Sequence, residues 1–194
     1  MIEFDSDTAL IVVDVQNDFA DPSGSLFVAG AGTVVGVVNQ LVARASDAGA
    51  LIVYTADWHP GTTPHFAKDG GTWPVHCVGD TWGSEFHPEL VVTGPVVRKG
   101  TNGEDGYSGF TMRDPETGVT TPTEMIGLLE DRVVSRLVVC GLATDYCVKA
   151  TVLDALNLGY PVVVPREAMA SVELAPGDGS SALLEMCMAG ATIV

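Results

Sequence analysis

Basic residues are scarce in this chain: nine Lys and Arg stand against 25 Asp and Glu, a formal charge of −16. So acidic a surface repels phosphate backbones and anionic lipid, which argues against nucleic acid and membrane as partners. Long apolar runs are missing too, since none reaches the roughly 18 residues that suggest a spanning helix. The opening Met1-Ile-Glu-Phe-Asp5 has neither the basic cluster nor the apolar stretch of a secretory signal, so a cytoplasmic location is expected. Cysteine is sparse. The four residues, at 77, 140, 147 and 187, form no Cys-x-x-Cys pair, and in a reducing compartment they read as free thiols.

What the chain does have is apolar material: 46% of its 194 residues, enough for one good core and, by length, a single domain over 1–194. Thr8 to Val15, Ala50 to Ala56, Val133 to Gly141, Pro161 to Pro165 and Ala191 to Val194 are Val/Ile/Leu-rich runs, with Gly94 to Lys99 a further candidate. Continuous apolarity, as opposed to alternation, marks strands buried on both faces. Between them, Val34, Val37, Val38, Leu41 and Val42 share one helical face, Val148, Val152, Leu153 and Leu156 another, and Ser180 to Ala189 reads as a final helix. Alternating strands and helices predict an α/β, three-layer, doubly wound, mainly parallel sheet with helices on both faces. Two Gly-rich stretches, 58–95 and 100–122, break the alternation, and long irregular loops in compact domains are most often functional.

The first of these stretches opens with Asp57-Trp-His59-Pro-Gly-Thr-Thr-Pro-His65, directly after the run ending at Ala56. Asp57 and His59, two apart in extended chain, point to one side, and a loop through Gly61 and Pro64 can return His65. Imidazole nitrogens with a carboxylate suit one divalent metal ion: zinc, iron or manganese. His76 follows in Trp73-Pro-Val-His76-Cys77, and His87 lies a little further on.

The second candidate is a nucleophile. Cys147 lies in Cys140-Gly-Leu-Ala-Thr-Asp-Tyr-Cys147, where a strand ends near Gly141 and a helix begins near Thr144 or Asp145, Thr144 being a good N-cap type. In a first helical turn, free N–H groups favour a thiolate and can stabilise an oxyanion. Cys140 and Cys187 sit in apolar runs and read as core packing, whereas Cys77 is ambiguous. Asp14, ending the first run, is a carboxylate among apolar neighbours, placed to accept a proton near neutral pH. Lys99, ending the Val-Val-Arg-Lys run, can hold that carboxylate and stabilise a thiolate.

Asp14, Lys99 and Cys147 in that order, with Asp57-x-His59 and His65, resemble the nicotinamidase/pyrazinamidase branch of the isochorismatase-like cysteine hydrolases. The likeness extends to Asp14-Val-Gln-Asn-Asp-Phe19, Trp73-Pro-Val-His76-Cys, Arg98-Lys99-Gly and Tyr107-Ser-Gly-Phe. It implies a six-stranded parallel sheet, a cis peptide before Ala143 and an oxyanion hole from the N–H groups of Ala143 and Cys147. It further implies an Asp14, Lys99 and Cys147 triad, metal ligands Asp57, His59 and His65 with His76 as a fourth, and a substrate ring lined by Phe19, Leu26, Trp73 and Tyr107. The implied substrate is nicotinamide, the oligomeric state being left open to a homo-oligomer. Tyr146 departs from relatives that carry histidine there. Three other readings stay open on the residues alone: a metal-poor amidase or isochorismatase-type hydrolase, a zinc hydrolase using metal-bound hydroxide, and a metal-stabilised interaction domain.

Overall fold

A computed structural model describes residues 2–194. Its frame is a parallel sheet in the spatial order β3-β2-β1-β6-β7-β9. In chain order the elements are β1 (Thr8–Val13), α1 (Asn17–Ala20), α2 (Ala31–Asp47), β2 (Leu51–Asp57), β3 (Val96–Lys99), β4 (Thr111–Arg113), β5 (Thr120–Pro122), α3 (Met125–Asp131), β6 (Arg136–Leu142), α4 (Lys149–Asn157), β7 (Val162–Val164), β8 (Met169–Ala170), α5 (Asp178–Met188) and β9 (Thr192–Ile193). Short β8 pairs with the end of β6 as a seventh strand, one more than the six expected.

Period-two alternation along β1 divides the core into two halves. Leu10 and Val12 face the layer containing Val34, Val38 and Leu41 of α2. Ala9, Ile11 and Val13 face Met125 and Leu129 of α3, Val152 of α4 and Met186 of α5. Both faces are covered, which is why β1 and β2 are buried throughout and mostly apolar. At the sheet edge, β3 alternates instead: Val97 and Lys99 are buried, Val96 and Arg98 exposed, and the Arg98 guanidinium lies 3.7 Å over the Trp58 ring.

Two expectations need correction, and one element was not foreseen. Stretch 100–122 is not simply a loop, because β4 and β5 form an antiparallel hairpin within it. Helix α3 has no counterpart in the sequence reading, since seven residues interrupted by Gly127 display little periodicity. Cys187 is exposed, not core: on α5 the inward positions are Ala182 and Met186, and a residue one step beyond Met186 is turned roughly 100° away.

The strand order reverses between β1 and β6: from β1 the chain runs out to β2 and β3 on one side, then crosses to β6, β7 and β9 on the other. Open α/β sheets bind ligands at such a switch point, outside the carboxyl ends of the strands. Here Val13 and Gly141 of the two strands face each other in register. Gly141 has φ 115°, and a Cβ there would collide with the Val13 carbonyl oxygen. Gly141→Ala should therefore cost about 2–5 kcal/mol, combining left-handed strain with overpacking. Urea unfolding checks this, with Gly127→Ala, where a Cβ meets open space, as the tolerated comparison.

Candidate active site

Four strand ends supply the central groups: Asp14 just after β1, Asp57 ending β2, Lys99 ending β3, and Cys147 five residues beyond β6. Asp57 and Lys99 are register partners in adjacent parallel strands. Asp14 takes a left-handed φ of 48°, uncommon for a residue with a side chain and a recurrent feature of functional sites. Its carboxylate accepts from Thr55 Oγ1 at 2.6 Å and from Lys99 Nζ at 2.7 Å. The same ammonium donates to Asp57 Oδ1 and to the Gly106 carbonyl, and stands 3.9 Å from Cys147 Sγ.

Lys99 and Asp14 are wholly buried. Burial alone would lower the lysine pKa, but the two facing carboxylates hold it well above the ordinary value. Burial pushes Asp14 up to about 6, against the pull of Lys99. Burial also pushes the Cys147 thiol well up, again opposed by Lys99. At neutral pH the pair therefore rests as carboxylate and thiol, with the acceptor beside the donor. Asp14, Asp57 and Cys147 each offer an atom within 4.8 Å of the other two.

Leu142–Ala143 is a cis peptide, as the resemblance implied. Beyond it the helix starts differently from expectation. Ala143, not Thr144, is the capping residue, no side chain caps the helix, and Thr144–Val148 form a π-helical turn before α4. Both Tyr146 N–H and Val148 N–H donate to the Ala143 carbonyl, so the turn is wound on one acceptor. Thr144 is part of that turn and buried, which removes it from the capping position.

The loop after β2 brings His59, His65 and His76 together, one ring nitrogen of each lying within 4.8 Å of the others. Asp57 Oδ2 is 3.9 Å from His59 Nε2 and 3.8 Å from His76 Nε2. Burial lowers His59 to about 4 and lowers His76 as well, so both imidazoles are neutral, the form that binds metal. Both ring nitrogens of His59 are buried with no hydrogen-bond partner among the described residues. Buried polar atoms without partners need an explanation, and a cation among three imidazoles and a carboxylate supplies one. The donor set fits a divalent metal. His87 lies outside the cluster, its backbone N–H bonded to the Val15 carbonyl.

One pocket joins the two halves. Phe19, Leu26, Trp73 and Tyr107 line it together with Asp57, His65, His76, Ala143 and Cys147. Trp73 Nε1 donates to Tyr107 Oη at 2.8 Å, and Tyr146 meets the Trp73 ring edge-on at 4.7 Å between centroids. Leu142 and Val172, not anticipated from sequence, complete the wall. Also unanticipated are the groups that hold the site. The Gln16 side chain donates to Asp57 O at 2.7 Å and accepts from Asp57 N at 2.8 Å. Asp105 bonds His65 Nδ1 at 2.6 Å, and the Pro74 carbonyl faces His76 Nδ1 at 2.7 Å. Their only sequence signal was membership of stretches already marked as functional.

Comparison with known proteins agrees with this geometry. A family model described as the isochorismatase domain matches residues 8–193. A nicotinamidase of Escherichia coli is 37% identical over 95% of this chain and 93% of its own length. Among solved structures, a pyrazinamidase of Pyrococcus horikoshii in complex with zinc superposes with a TM-score of 0.85 at 40% identity, covering 97% of this chain and 98% of that one. PnC1 of L. infantum in complex with nicotinate gives a TM-score of 0.89 at 33% identity, covering 100% and 95% respectively.

The shared ammonium generates a stability test. Lys99→Met leaves two buried carboxylates facing each other without a counter-charge, and breaking a buried ion pair this way costs about 3–5 kcal/mol. Urea unfolding at neutral pH should show that loss. Asp14→Asn added to Lys99→Met should recover part of it by removing one orphaned charge, and equal stability of Lys99→Met and the parent would refute the account.

Proposed function

The chain belongs to the isochorismatase family, and we propose that within it the protein is a metal-dependent nicotinamidase, hydrolysing nicotinamide, and pyrazinamide with it, to the carboxylic acid and ammonia. One observation carries this reading: a single aromatic-walled pocket is lined at once by the Cys147 thiol and by metal-type ligands Asp57, His65 and His76. A metal-poor amidase would need only the first set, and a hydrolase working through metal-bound hydroxide only the second. A flat ring bearing an amide on one side and a ring nitrogen on the other spans both.

In the mechanism, Asp14 takes the Cys147 proton and the sulfur attacks the amide carbonyl. Charge that develops on the carbonyl oxygen is met by the N–H groups of Ala143 and Cys147, each such donor being worth about 3 kcal/mol. Asp14 returns the proton to the departing nitrogen, so ammonia leaves and a thioester remains. Water, deprotonated by Asp14, then attacks the thioester, and the thiol is regenerated as the acid departs. Lys99 holds Asp14 in place throughout and faces the sulfur, so its charge stabilises a thiolate. Asp57, His59, His65 and His76 would hold one divalent metal ion, which when bound supplies a contact for the substrate's ring nitrogen and so positions the amide. Phe19, Leu26, Trp73 and Tyr107 enclose the ring and exclude water.

Ammonia release from nicotinamide, with benzamide as the control lacking a ring nitrogen, tests the whole reading. Nicotinamide should be the far better substrate, and chelation should remove one metal per chain and suppress its turnover. Equal rates on both amides would remove the metal from substrate recognition.

The residue roles are tested separately. Cys147→Ala should abolish turnover while keeping its metal, and mass spectrometry of quenched parent enzyme should show an acyl adduct on Cys147. Asp14→Asn should lower the rate by about 10²–10⁴, the range of general-base loss. A near-normal rate in Asp14→Asn would send the proton elsewhere and dismantle the triad.

A further inference from the structure

Three consecutive residues beyond β3 touch three different parts of the site. Asp105 bonds His65, the Gly106 carbonyl accepts from Lys99, and Tyr107 lines the ring pocket and accepts from Trp73. The segment is itself anchored on the β4–β5 hairpin: Asp105 N–H donates to Arg113 O at 2.7 Å, and Arg113 N–H donates to Asp105 O at 3.1 Å. Those main-chain bonds already fix the segment. The Asp105 side chain is therefore free for a separate task, and it turns towards the histidine cluster.

Its partner atom decides what that task is. A carboxylate only accepts, so His65 must donate through Nδ1, which leaves Nε2 as the ring nitrogen with an open lone pair. His76 is oriented the same way by a neutral acceptor, the Pro74 carbonyl, and His59 has no such partner among the described residues. Among the described residues, His65 is the only one of the three whose Nδ1 is hydrogen-bonded to a carboxylate. A carboxylate behind a ligating imidazole fixes its tautomer and raises its basicity.

We infer that Asp105 is a positioning residue for the metal site: it locks His65 in the Nδ1–H tautomer and strengthens Nε2 as a ligand. This rests on the metal reading proposed above. Arg113, whose guanidinium lies 3.5 Å from the other Asp105 oxygen, is exposed and contributes little to that lock.

The test measures zinc affinity by competition with a chromogenic chelator, and the unfolding temperature of the metal-free protein. Asp105→Ala should bind zinc about 10–100-fold more weakly, the usual cost of losing such a partner. Asp105→Asn keeps an oxygen acceptor but no charge, so its affinity should fall between the two. Arg113→Ala should stay within about twofold of the parent, its backbone bonds to Asp105 being retained. A merely structural Asp105 would instead lower the metal-free unfolding temperature and leave the affinity of Asp105→Asn unchanged, which would overturn the inference.

Should Asp105→Ala fail to fold, Asp105→Asn decides alone. Long-range proton–nitrogen correlation spectra of the metal-free protein give a second readout. They should show His65 as the single Nδ1–H tautomer in the parent and as a mixture in Asp105→Ala. If the parent itself bound no zinc, the metal reading would fall, and these spectra would still decide whether Asp105 governs His65.

Discussion

A buried ammonium holds this site together. Lys99 lies out of water between two carboxylates, one serving the thiol and the other the histidine cluster. Removing an ion from water costs several kcal/mol, and only close opposite charges with good hydrogen bonds offset it. The lysine therefore needs Asp14, Asp57 and the Gly106 carbonyl together. Conversely, each carboxylate depends on it: Asp57 is held below the usual carboxylate range despite burial because Lys99 and two histidines face it. Two functional halves that look separate in sequence are thus one electrostatic unit.

The same unit explains how opposite chemical demands coexist within a few ångströms. A proton acceptor must be basic enough to take a thiol proton, while a metal-type carboxylate must stay ionised. Asp14 is fully enclosed and poised near 6, whereas Asp57 adds the histidines to its surroundings and moves the other way. Unequal neighbours give two aspartates that share one lysine different duties. Their burial keeps the local dielectric low, which strengthens each of these interactions.

Most of the frame could be read from the chain because buried parallel strands leave continuous apolar runs, and the ends of those runs marked Asp14, Asp57 and Lys99. His59, His65 and His76 stood out because ligand-type residues were grouped in a chain with only four histidines. Asp105 was invisible for the opposite reason: one carboxylate among 25 acidic residues carries no signal until a partner 40 positions away is seen beside it. Gln16 and Thr55 were hidden similarly, since their work is done across strands. Thr144 was misplaced at the cap because the turn winds as a π-helix from Ala143, a geometry that residue preference does not encode.

The Gln16 side chain sets a boundary for local opening. Its amide occupies both the N–H and the C=O of Asp57, so a side chain from the β1 end replaces a neighbouring strand at the last residue of β2. Fraying that begins in the histidine loop must stop there, because further peeling would expose a buried amide and two main-chain groups at once. His59, His65 and His76 lie beyond that boundary, whereas Asp57, with Lys99 and Asp14, lies at or behind it. The histidine cluster and the thiol machinery therefore meet at one pinned residue, Asp57, and a disturbance of the loop on one side of it need not reach the other.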